Sequence, residues 1–190
     1  MPRRIIVTEY ISLDGVMEDP VGMEGSGLGD WTGPYARGPA GDKFKHDELY
    51  SADVLLLGRR TYDGFAATWP TIKDEAGFAD RINALPKYVL TATLKRAEWN
   101  NTHVLSEGFL DRVGKLKIEK GLDILVYGSA SLAHLLMQHG LVDEIRMMLY
   151  PVVLGRGKKL FSERIKASLR LEECAQFDSG IILLRYSAGR

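Results

Sequence analysis

The chain has 190 residues, 45% of them hydrophobic, which is enough for one buried core, and no Ser/Pro/Gly-rich linker divides it, so residues 1–190 are expected to form a single domain. Lys plus Arg and Asp plus Glu number 25 each, and a formal charge of zero supplies no bulk field for nucleic acid or an anionic membrane, so any anion binding has to be local. The lone Cys174 excludes an intramolecular disulfide and a multi-thiolate zinc site, which leaves a core-filling role and a reducing cytoplasm as the expectations.

Arg4 to Ser12 is β-branched and aromatic enough for a first strand, closed by the turn residues Ser12-Leu13-Asp14-Gly15. Its apolar run Ile5-Ile6-Val7 is broken by Thr8 and Glu9, too short for a signal peptide, and no other run approaches a membrane span. From Val16 to Gly41 the chain carries seven glycines, three prolines, Trp31 and Tyr35 without a sustained period, which describes either a binding lid or a disordered insertion. The aromatic residues favour the lid. Asp42 then opens a short helix to Tyr50, as its cap or as a carboxylate at the helix entrance.

Val54 to Leu57 is a continuous apolar run suited to a central strand covered on both faces, and Gly58 turns it into a helix from Arg59 to about Ala67. That helix start offers unpaired N–H groups and the positive dipole end, with Arg59 and Arg60 beside it, which is the chemistry of a phosphate seat. Taken alone, Gly58-Arg59-Arg60-Thr61 also describes an ordinary strand-turn-helix with solvated arginines. A short helix Ala76 to Ala84 follows, then a strand Tyr88 to Thr91 whose carboxyl end places the Thr91 and Thr93 hydroxyls for hydrogen bonding.

Thr102 to Leu105 reads as a weak strand, Phe109 to Lys120 as a helix, and Asp123 to Tyr127 as a second buried strand that runs into Gly128-Ser129-Ala130-Ser131 and another helix. The strand, glycine, helix-start arrangement therefore occurs at Gly58 and again at Gly128, in units spaced like parallel β-α-β crossovers. Glu144 to Tyr150 is a strand ended by Pro151, and Leu169 to Phe177 with Ile181 to Tyr186 form a closing antiparallel hairpin. The sum, about eight strands and four or five helices, is a three-layer α/β/α fold on a mixed, mostly parallel sheet.

Ligands of such a sheet bind beyond the carboxyl ends of its strands, where Asp14, Arg59, Thr61, Thr91, Thr93 and Ser129 fall. Positive helix ends, paired arginines and hydroxyls describe a site for a phosphorylated cofactor. His46, His103, His134 and His139 show no zinc spacing and read as solvated helical positions. Walker A, G-x-G-x-x-G and G-x-S-x-G sequences are all lacking.

Leu57-Gly58-Arg59-Arg60-Thr61-Tyr62, Gly128-Ser129-Ala130-Ser131 and Ser12-Leu13-Asp14-Gly15 together resemble the dihydrofolate reductase superfold. Asp143-Glu144, Pro151-Val152-Val153-Leu154-Gly155-Arg156-Gly157 and Leu160-Phe161 resemble more closely the C-terminal reductase domain of bifunctional riboflavin-biosynthesis proteins. The resemblance implies an NADPH-dependent reductase of a small heterocyclic substrate, most like the 5-amino-6-(5-phosphoribosylamino)uracil reductase of riboflavin biosynthesis or a stand-alone paralogue. A dihydrofolate or pterin reductase and a catalytically weak NADPH-binding protein are the alternatives. By the same resemblance Gly58, Arg59, Arg60 and Thr61 hold cofactor phosphates, Thr91 and Thr93 lie by the adenosine, and Gly128, Ser129, Ala130 and Ser131 wrap the pyrophosphate. Asp42 falls where dihydrofolate reductase carries its acidic pterin-binding residue. The bifunctional proteins carry a zinc deaminase domain for which this chain has no room.

A hydride acceptor also needs a proton, and the candidates are Asp42 and Asp14, with water as a rival; Trp31 in the lid would line the substrate site and exclude water. A carboxylic acid does this near neutral pH only if burial raises its pKa. Met147, Met148, Leu149 and Tyr150 exceed what one sheet face needs, so a homodimer through the C-terminal sheet is expected, as the resemblance also implies.

Overall fold

The computed structural model describes residues 2–163 and 165–189. Eight strands form one sheet in the order β4-β3-β2-β5-β1-β6-β8-β7, with β1 Ile5–Ser12, β2 Ala52–Gly58, β3 Lys87–Leu90, β4 Thr102–Leu105, β5 Asp123–Val126, β6 Glu144–Tyr150, β7 Leu169–Gln176 and β8 Ile182–Ala188. Pairings from β4 across to β6 are parallel, and β8 runs antiparallel to both of its neighbours. This is the mixed sheet with a closing hairpin that the alternating pattern predicts.

Successive side chains of a strand point to opposite faces, which sorts the apolar runs into two cores. On one face Ile5, Val7, Val54, Leu56, Ile124 and Val126 pack under helices α4 (Phe109–Ile118) and α5 (Ala130–Gln138). On the other, Ile6, Leu55, Leu57 and Leu125 meet α1 (Gly38–Tyr50), α2 (Arg59–Thr68) and α3 (Phe78–Ala84) through Leu49, Tyr62 and Ile82. The central strands lack in/out alternation because both faces are covered.

Several expectations are corrected. Helix α1 begins at Gly38, four residues before Asp42, because Pro39 sits in its first turn with a backbone suited to a helix start. Asp42 is therefore an internal helix residue and caps nothing. His103 lies on β4, whereas His46 and His134 are helical. Cys174 is exposed on the edge strand β7 instead of filling the core. The apolar side chains of β6 need no partner copy: Met147 is buried under the α4/α5 layer, and Met148 and Tyr150 lie under Trp31 with Ile181 and Leu183.

The irregular segment 13–37 packs down on the sheet edge. Trp31 is buried, donates its indole N–H to the Glu18 carbonyl at 3.0 Å, and meets the Tyr150 ring edge-on at 5.8 Å. Asp19 ties a turn inside the segment by accepting from the Glu24 and Ser26 amides and from the Ser26 hydroxyl.

Candidate functional site

At the carboxyl edge of the sheet the two glycine turns lie against each other. The Gly58 N–H donates to the Gly128 carbonyl at 2.9 Å, and a Cβ on Gly58 would stand 2.7 Å from the Ser129 nitrogen, so only glycine permits the approach. Gly128 has φ +79°, and a Cβ there would come within 3.0 Å of Thr61 Oγ1. The Gly128–Ser129 peptide is cis. Helices α2 and α5 both start here without a side-chain cap on their N–H groups, since the Ser129 hydroxyl pairs with Ser131 at 2.9 Å. Two uncapped positive helix ends thus converge on one bare backbone cradle that Ala130 and Ser131 continue, which fits a pyrophosphate-sized anion.

The side chains predicted around this seat are present but engaged. Arg59 is ion-paired with Asp63 at 2.8 Å and donates to Thr93 Oγ1 at 3.1 Å. Arg60 reaches Glu18 at 3.5 Å. Thr91 is buried, and its Oγ1 accepts from the Thr93 and Leu94 amides, closing the turn after β3. The Thr61 hydroxyl donates to Glu24 Oε1 at 2.8 Å, and burial, partly offset by that bond, pulls the Glu24 carboxyl above its usual range. Arg59 and Thr93 lie together at this edge, Thr61 lies by Gly128, and the lid carboxylates Glu18 and Glu24 meet Arg60 and Thr61, a contact that no local sequence signal announces.

Neither aspartate has the setting of a proton donor. Asp14 accepts from the Ser12 hydroxyl at 2.6 Å and from the Leu154 and Gly155 amides at 3.1 and 2.8 Å, which hold its carboxyl down to about 2. It is a clasp: with the Met17 amide donating to the Lys158 carbonyl and the Leu160 amide to the Gly15 carbonyl, it zips the Ser12–Gly15 turn to the 151–160 loop. Asp42 has a side chain 64% exposed and paired with Arg37 at 2.9 Å. Trp31 braces the lid against Tyr150, in the cluster with Met148, Ile181 and Leu183.

A cluster of buried polar groups lies instead across β1, α1 and β6. Lys45, Glu48 and Arg146 are all buried; Lys45 and Glu48 are ion-paired, Thr8 Oγ1 donates to Glu48 at 3.0 Å, and Arg146 reaches Glu48 at 3.3 Å and Glu144 at 2.6 Å. The Lys45 ammonium stands 4.9 Å from the Tyr127 ring centroid and 5.5 Å from that of Tyr10. The Arg37 guanidinium donates to the Tyr10 hydroxyl. Glu9, the strand neighbour of Thr8, is 8% exposed, and among the described residues its Oε1 makes no close hydrogen bond, the Gly128 amide being the backbone donor that faces the carboxyl. The available signal for these residues was the polar pair Thr8-Glu9 inside an otherwise apolar strand.

The model of the RibD C-terminal domain matches residues 3–183. The Bacillus subtilis protein YyaP is 32% identical over 188 residues, covering 97% of this chain and 94% of YyaP. Among solved structures, a riboflavin biosynthesis protein from Shewanella sp. PV-4, described as putative, superposes with a TM-score of 0.77 at 21% identity and full coverage of both chains. A pyrimidine reductase-like protein of Corynebacterium diphtheriae gives 0.64 at 15% identity, covering 99% of this chain and 92% of its own. With the eight-stranded sheet, these likenesses give a dihydrofolate reductase-like fold, and the chain belongs to the RibD C-terminal domain family.

Proposed function

We propose that the protein is an NADPH-dependent reductase of a small nitrogen heterocycle or its open-chain ribosyl form, like the pyrimidine reductase of riboflavin biosynthesis or a paralogue of it. The observation that carries this reading is the pair of uncapped helix starts at Gly58 and Ser129, joined through the Gly58–Gly128 hydrogen bond. A pyrophosphate is the dianionic group such a pair suits. Arg59 and Arg60 beside it favour the cofactor with the additional 2′-phosphate, because a guanidinium meets phosphate through two parallel hydrogen bonds.

When bound, the cofactor supplies the hydride. The chain's own residues do the remaining work. Gly128 and Ser129 present backbone to the diphosphate, with Ala130 and Ser131 following in the first turn of α5, and Thr61 adds a hydroxyl once Glu24 moves off it. Segment 13–37, braced by Trp31 on Tyr150, covers the sheet edge and keeps water from it. On the α1 side of β1, Tyr10, Arg37 and Lys45 offer a hydroxyl and two cations to the polar edge of a heterocycle or to a ribosyl phosphate. A homodimer through the C-terminal sheet belongs to the same reading, supported now by Leu171, 51% exposed on the edge strand β7.

The test is calorimetric titration with NADPH and NADH, followed by turnover with pyrimidine, pterin and quinone substrates. Tighter binding of NADPH and its oxidation by a pyrimidine are the expected results. NADPH binding without oxidation by any of the three classes would reduce the reading to a cofactor-binding protein, and no binding of either nucleotide would end it.

A further inference from the structure

Lys158 follows Gly155-Arg156-Gly157 in the loop after β6, and its backbone is held on both sides. Its amide donates to Glu18 Oε2 at 3.1 Å, and its carbonyl accepts from the Met17 amide at 2.9 Å. Gly157 has φ +118°, and a Cβ there would stand 2.6 Å from Val16 Cγ1, so the loop lies directly on the lid. Just beyond Lys158, His134 of α5 donates from Nε2 towards the Lys159 and Leu160 carbonyls, at 3.1 and 2.9 Å. The loop is thus fastened to the lid and also to the helix whose first turn, Ala130 and Ser131, continues the diphosphate cradle.

The side chain is held less firmly than the backbone. With Ala130, Ser131, His134, Lys159 and Phe161, Lys158 lines an open cavity of about 380 Å³ beside that first turn. Its Nζ stands 3.4 Å from Glu18 Oε1, and Nη1 of Arg60 lies 3.5 Å from the same oxygen. One carboxylate of the lid therefore gathers a cation from the start of α2, a cation from the loop against α5, and the Lys158 amide. A guanidinium, an ammonium and a backbone N–H around one anionic oxygen are the donors that a phosphate also takes. Both cationic side chains are more than half exposed, and ion pairs so exposed hold weakly, so a phosphate of higher charge draws the ammonium from Glu18 against little opposition.

We propose that Lys158 completes the diphosphate site: its ammonium leaves Glu18 for a phosphate seated on the first turn of α5, and Glu18 is the internal carboxylate that this phosphate displaces. This rests on the NADPH reading and adds to it a binding residue from outside the two helix starts. The lysine serves the diphosphate, which NADPH and NADH share, and the 2′-phosphate is left to Arg59 and Arg60. A lysine that only fastened the lid through Glu18 would give the opposite sign when the carboxylate is removed, because binding would then weaken instead of tightening.

The experiment is calorimetry with NADPH, NADH and inorganic pyrophosphate on wild type, Lys158→Met and Glu18→Gln. Methionine keeps an apolar stem without the charge, and glutamine still accepts the Lys158 amide. Lys158→Met should weaken all three ligands about tenfold, the size expected for one lost charge-assisted hydrogen bond. Glu18→Gln should tighten all three about threefold, since no carboxylate then competes for the ammonium. Weakening of NADPH alone would move Lys158 to the 2′-phosphate, and weakening by Glu18→Gln would make the lysine a lid fastener; either result overturns the assignment, as does unchanged binding by Lys158→Met. A wild type that binds pyrophosphate through Lys158 but neither nucleotide would overturn the NADPH reading and keep the phosphate site. Binding of none of the three would overturn both.

Discussion

The hydroxyl of Thr61 donates to Glu24 Oε1 across 2.8 Å, so the lid places a carboxylate at the mouth of the two glycine turns. Thr61 belongs to the first turn of α2, whose N–H groups carry no side-chain cap, and Glu24 reaches that positive end from the lid. An ionised Glu24 and a cofactor phosphate therefore compete for one position. Glu24→Ala is expected to tighten NADPH and 2′,5′-ADP by about fivefold, corresponding to the release of one hydrogen bond of about 1 kcal/mol. Fluorescence titration measures this, and weaker binding by the variant would show that Glu24 holds the seat together instead of competing for it.

Arg59 and Arg60 differ in how firmly they are held. Arg59 is tied to Asp63 and Thr93, whereas Arg60 makes one long contact with Glu18. Arg60 is the freer to turn onto a phosphate. The double variant Arg59→Ala/Arg60→Ala should cost NADPH about 1.5 to 3 kcal/mol of binding and NADH much less, because a charge-assisted contact to the 2′-phosphate is lost. Equal loss for the two nucleotides would remove these arginines from the 2′-phosphate.

The fold was legible because its signals are local. Val54–Leu57 and Ile124–Val126 are continuous apolar runs ending in glycine, and both became central strands followed by helix starts. The glycine turns were legible for the same reason. What the sequence hid depends on contacts between distant segments. Nothing near Asp42 announces that Arg37 holds it, and the Asp14 clasp closes on amides 140 residues away. The buried Glu9 of β1 lies beside Gly128, a turn residue far from it in sequence. Pro39, in the first turn of α1, stands inside the glycine-rich run that reads as loop in the sequence.

Asp14 makes the clasp sensitive to acid. Its carboxyl is held down to about 2, chiefly by the Ser12 hydroxyl and then by the Leu154 amide. The folded-state value lies below the ordinary 3.8, so the support it gives is complete above pH 3.8 and disappears as pH falls towards 2. Asp14→Asn should therefore lower Tm at neutral pH, and the gap between wild type and variant should close on acidification through that window. A gap that persists unchanged at pH 2 would mean that the backbone bonds around Gly15 and Met17 hold the loop without the carboxylate.

Glu48 joins two cations that the fold has removed from water, Lys45 on its own helix and Arg146 on β6, with the Thr8 hydroxyl as a further donor. Arg146 keeps Glu144 if Glu48 is lost, but Lys45 is left with only Thr8 Oγ1, at 3.1 Å, and the ring faces of Tyr10 and Tyr127. Breaking one side of a buried pair leaves an uncompensated charge and costs about 3–5 kcal/mol, whereas replacing both partners by apolar groups of similar volume is often near neutral. Glu48→Leu is thus expected to lose about 3–5 kcal/mol in urea denaturation. The double variant Lys45→Met/Glu48→Leu should recover most of that loss, because the stranded ammonium goes with the carboxylate. If the double variant is no more stable than Glu48→Leu, the pair is not coupled, and Glu48 acts through Arg146 and Thr8 alone.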